Sequence, residues 1–70
     1  MSFIHIFNAA SHVFINMETD LKIIVEDKAV TVVTAVSTSR YNISTQVRSY
    51  IIEKLAVMSE ISFTAGEEHA

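Results

Sequence analysis

Two imidazoles, His5 and His12, are the side chains of this 70-residue sequence best suited to chemistry, because a histidine can move a proton near neutral pH or give a lone pair to a metal. If both stand on one strand face they are diagonal neighbours, close enough in principle to share a zinc ion. Such a site needs three or four ligands, and Asn16 is a poor third. Ser11 next to His12 has the composition of a nucleophile and its base, but adjacent strand residues point to opposite faces, and no acid is placed to orient the imidazole. The expectation is therefore no catalytic residue, no metal and no cofactor. The histidines are read as polarity on a half-exposed aromatic surface.

Other sources of chemistry are thin. The carboxylate pairs Glu26–Asp27 and Glu67–Glu68 fall in a turn and in a polar tail, where they solvate the chain. A phosphate-cradling loop requires several glycines, and the sequence has one, Gly66. Five Lys and Arg against eight Asp and Glu give a net charge of −3, which argues against duplex nucleic acid as a ligand. With no cysteine there is no disulfide framework. The first residues lack the basic start and apolar run of a secretion signal, and no apolar stretch approaches the roughly 20 residues of a membrane span. A cytoplasmic location is expected.

The elements that must position these residues follow from the apolar pattern. Residues 1–36 alternate in strand fashion, and residues 43–61 change to helical spacing. The spacing predicts two successive hairpins. In one, Ile4 faces Ile15 and Ile6 faces Val13 across a turn at Asn8, Ala9, Ala10 and Ser11. In the other, Val25 faces Val30 and Ile23 faces Val32 across Asp27 and Lys28. Residues 9–17 also carry a competing helical spacing, with Asn8 as cap, but Val13, Phe14 and Ile15 in succession favour a strand. Ile43, Val47, Tyr50, Ile51, Leu55, Met58 and Ile61 line one side of a helix capped by Ser44 or Asn42, with Ile52 nearly opposite. Ile61 to Ala65 alternates as a short edge strand.

The expected architecture is one α+β domain over residues 1–66, an antiparallel sheet of four to five strands with one amphipathic helix packed on one face. Residues 67–70 form a flexible acidic tail. The helix is expected to meet Ile4, Ile6, Val13 and Ile15 together with Leu21, Ile23, Val25, Val30 and Val32. That leaves Phe3, His5, Phe7, His12, Phe14, Ile24 and Val33 as the exposed, partner-binding set. Half of the residues are hydrophobic, more than so short a chain ordinarily buries alone, so this surface is expected to bind a protein partner or a second copy, giving a homo-oligomer. Single-stranded nucleic acid stacked on the Phe rings is an alternative, weakened by the lack of a cationic rim beside Phe3, Phe7 and Phe14.

Leu21 to Val32, then Tyr41-Asn42-Ile43 and the helical stretch from Val47 to Met58, resemble the alkaline-shock protein family of Gram-positive bacteria, which has a similar hairpin followed by an amphipathic helix. Tyr41 lacks the family's following glycine, and Ser59-Glu60 stands where the family has Thr-Gly. The resemblance implies a non-enzymatic cytoplasmic protein that self-assembles near the membrane under envelope stress. The ββαβ order is also similar to that of the phospholipid-associated BON domain. In size and acidity the chain also looks like small phage inhibitors of host defence proteins, including CRISPR inhibitors.

Overall fold

The computed structural model describes residues 2–64; residues 65–70, and with them the expected tail at 67–70, lie outside the described residues. Five strands come first: β1 (Phe3–Phe7), β2 (His12–Asn16), β3 (Leu21–Val25), β4 (Ala29–Val33) and β5 (Thr38–Asn42). Helix α1 (Thr45–Val57) and a last strand β6 (Ser59–Thr64) follow. All six strands form one sheet in the order β5-β4-β3-β2-β1-β6. The fold is α+β, as the pattern predicts, but the sheet has six strands and is mixed, because β6 runs parallel to β1 while every other pair is antiparallel.

Both hairpins form in the predicted register, with Ile4 opposite Ile15, Ile6 opposite Val13, Ile23 opposite Val32 and Val25 opposite Val30. Residues 12–16 are strand, not helix. Asn8 organises the first turn: its Oδ1 accepts from the amides of Ala10 and Ser11 at 2.8 and 2.9 Å. The second hairpin closes on Asp27 and Lys28, with the Glu26 amide donating to the Ala29 carbonyl at 2.8 Å. The sequence pattern predicts no element at β5, since Thr38-Ser39-Arg40-Tyr41-Asn42 carries little apolar alternation. Its polarity suits an edge, where apolar residues would invite pairing with another chain.

The turn between the hairpins decides the layering. Four residues, Met17 to Asp20, connect β2 to β3, and the Asn16 side chain accepts from the amides of Glu18 and Thr19. Asn16 then stands opposite Leu21 and Phe14 opposite Ile23. Strand side chains alternate with a period of two, so this register puts Phe14 on the same face as Leu21, Ile23 and Val25. The core follows: Phe3, Phe14, Val25 and Val30 are buried, and Leu21, Ile23, Ile43, Ile51, Ile52 and Leu55 pack against them.

The expected layering is thereby reversed in the first hairpin, whereas Leu21, Ile23, Val25, Val30 and Val32 face the helix as predicted. The helix covers the aromatic face, and Ile4, Ile6, Val13 and Ile15 lie on the other side of the sheet. Phe3 and Phe14, expected to be exposed, are 3% and 0% accessible. The helix is also rotated from the predicted stripe: Ile52 packs on the core with Ile51 and Leu55, whereas Val47 and Tyr50 are 45% and 60% exposed. Ser44 caps it, its Oγ accepting from the Val47 amide at 3.2 Å. At the other end the Ser59 hydroxyl donates to the Leu55 carbonyl at 2.8 Å, and the chain enters β6 after a single residue, Met58.

Neighbouring residues test this layering. Phe14→Ala removes a fully buried ring and should cost about 3–5 kcal/mol, whereas Ile15→Ala, one position on, should cost on the order of 1 kcal/mol in urea unfolding of the dilute chain. Equal losses would contradict the reversed faces. Asp20 has a left-handed backbone, φ 57°. Asp20→Gly should hold or raise the urea midpoint, and Asp20→Val should lower stability by about 1–2 kcal/mol.

Candidate functional site: a histidine pair and an uncovered sheet face

On the helix side, one cross-strand row runs Ser62, His5, Phe14, Ile23, Val32, Ser39, and the next runs Thr64, Phe7, His12, Val25, Val30, Tyr41. The rows bring the two imidazoles together. His5 Nε2 lies 2.9 Å from His12 Nδ1, and His5 Nδ1 lies 3.3 Å from Ser62 Oγ. The rings stack: His5 sits 4.2 Å from Phe14 and 5.1 Å from His12, and Phe7 lies 5.5 Å from His12, centroid to centroid. Ser62 was not singled out from the sequence, because only the parallel pairing of β6 with β1 places it beside His5.

This pair is built to remain largely neutral. A hydrogen bond between two imidazole nitrogens needs one of them unprotonated, and two imidazolium N–H groups would otherwise meet at 2.9 Å. Burial lowers the pKa of both histidines, and for His12 the neighbouring His5 and Arg48 lower it further. Arg48 is anchored by its Nε, which donates to the Glu26 carbonyl at 2.9 Å.

The order Ser62, His5, His12 gives a hydroxyl a base and gives the base an orienting partner, the first two needs of a nucleophile. A substrate site is the third. Two shallow grooves on the described surface lie away from it, one between Ser2, Ile15, Glu18 and Glu60, the other along Ile23, Val32, Tyr50 and Leu55. Nor do the described residues hold a group of three or more His, Cys, Asp or Glu that could bind a metal. One nitrogen of the close contact donates to the other, so the pair reads as a partly buried polar link between β2, β1 and β6.

The opposite side of the sheet is different in kind. Its two rows run Phe63, Ile6, Val13, Ile24, Thr31, Arg40 and Ile61, Ile4, Ile15, Lys22, Val33, Thr38. No helix crosses it among the described residues. Strands β6, β1 and β2 offer it only Ile, Val and Phe. Ile61 and Phe63 are 52% and 49% exposed, and Ile4, Ile6, Val13, Ile15, Ile24 and Val33 are half-buried by their neighbours alone. Polar character is confined to β3 through β5, where Lys22 stands alone and Arg40 Nη1 is held by Glu26 Oε1 at 2.8 Å and Thr31 Oγ1 at 3.3 Å.

The partner-facing set expected from the sequence therefore divides. Phe3, His5 and Phe14 are buried, Phe7 and His12 are half-buried on the helix side, and Ile24 and Val33 lie on the uncovered side. Ile4, Ile6, Val13 and Ile15, expected to be core, join Ile24 and Val33 there. Among the described residues no helix is long and apolar enough to cross a membrane. No family model, curated protein or solved structure matches the chain.

The histidine pair sets a pH dependence whose direction is fixed. With pKa values lowered in the folded state, the unfolded chain binds more protons below pH 6.5, the ordinary histidine value. The histidine contribution should be fully present above pH 6.5 and be lost as pH falls below it. Urea midpoints measured between pH 8 and the region just below 6.5 should show this decline. His5→Phe combined with His12→Phe should flatten it, and an unchanged slope in that variant would contradict the assignment.

Proposed function

We propose that this protein is a non-catalytic, cytoplasmic protein-binding module that works through the uncovered face of its sheet. One observation supports the reading above others: eight Ile, Val and Phe side chains share a face that no other described element shields. An antiparallel sheet with a solvated side normally alternates apolar-in with polar-out, and here β6, β1 and β2 do not. Covering such side chains contributes roughly 1.5–3 kcal/mol for each one taken fully out of water, before the costs of association. A contiguous apolar patch of this kind is what a protein interface requires.

The same geometry weakens the nucleic-acid reading. Phe3 and Phe14 are buried, so the rings that would have stacked bases are spent on the core. The resemblance of residues 21–61 to the self-assembling alkaline-shock family is in keeping with a binding role.

A photo-reactive phenylalanine analogue at Val33, in cells that make the protein, tests this. It should yield protein adducts, and Ile6→Thr with Ile24→Thr should remove them while circular dichroism shows the fold retained. Adducts only with nucleic acid, or none, would overturn the reading.

A further inference from the structure

We infer that the occupant of the uncovered face is a second copy of this chain, the two sheets packing face to face with both helices outside. The inference rests on the binding role proposed above and supplies its partner.

Area supports it. Six strands about 4.8 Å apart and five residues of about 3.3 Å long make a face of about 29 by 17 Å, or about 500 Å² in projection. Those dimensions fit within the 33 × 28 × 21 Å extents of the chain. Two such faces together reach about 1,000 Å², the lower bound of a specific interface, before the relief of the side chains is counted. Packing at about 10 Å separation gives the aligned sheet sandwich that apolar sheet faces form.

Charge supports a copy over a foreign partner. Of the charged side chains in the two rows, Arg40 is already paired with Glu26, and Lys22 is the only other. A face with one uncompensated charge offers little for an oppositely charged partner to read. Against a copy of itself it brings only two Lys22 amines, whose long stems can lie along apolar surface while the amines reach water. Glu18 and Glu60 lie outside both rows, at the rim of the patch, where they line a groove with Ile4 and Ile15. A two-fold axis makes one such patch complementary to itself, and closed two-fold dimers are the commonest oligomers.

The test is sedimentation equilibrium of the full chain at micromolar concentrations. The wild type should show twice the 7.8 kDa chain mass. Ile6→Lys should weaken the dimer at least about thirty-fold, the loss typical of a central interface residue, and Val57→Lys, on the exposed side of the helix, should not. If Ile6→Lys does not fold, Ile6→Thr should still weaken the dimer. A wild-type monomer would overturn the second-copy assignment, and so would a dimer that survives both Ile6 substitutions or is lost in Val57→Lys. A monomer that still gives heterologous adducts through Val33 leaves the binding role standing, whereas a monomer with no protein adducts removes both.

Discussion

The number of residues between β2 and β3 governs this molecule. Four residues, held by two amides that donate to the Asn16 side chain, place Phe14 opposite Ile23. A connection one residue longer or shorter would shift the pairing by one and send the alternate side chains of the first hairpin to the helix. Both of its faces are apolar enough to form a core, so hydrophobicity alone does not choose between them. The turn chooses, and it sends the rings inward and the isoleucines outward.

The rest of the arrangement is a consequence. With Phe3, His5 and Phe14 facing inward, the core is aromatic on β1 and β2 and aliphatic on β3 and β4. A polar link fits within it because His5 and His12 satisfy each other and Ser62 reaches His5. The helix has no fully buried residue and leaves Val47, Tyr50 and Val57 exposed, so it closes one side of the sheet only in part. Nothing among the described residues is left to cover the isoleucines. The surplus of apolar residues in the sequence is thus concentrated on one sheet face.

Much of this was legible in the sequence, and the failures share a cause. Strand alternation predicts both hairpin registers, and the Ser44 cap and the final strand are read correctly because they depend on near neighbours. Face assignment is non-local. Each hairpin taken separately has one aliphatic face, and joining like with like puts Ile4 and Ile6 beside Ile23, whereas the connecting turn joins Phe14 to Ile23. Strand β5 is obscured by its own polarity, and the partner of β6 is obscured because it pairs in parallel with a strand more than fifty residues earlier. The position of Ser62 beside His5 depends on that pairing and has no local signature. Ile52 falls outside the apolar stripe of the sequence, yet the helix meets the sheet through Ile51, Ile52 and Leu55, a rotation that the apolar count around the helix does not fix.

Methyl-resolved nuclear Overhauser measurements test the central claim, that the helix lies over the rings and not over the isoleucines. The account predicts contacts from the Ile51 and Leu55 methyls to the Phe14 ring, and none within one chain from those methyls to Ile4, Ile6 or Ile15. Intramolecular contacts between Ile51 or Leu55 and Ile6 would contradict it.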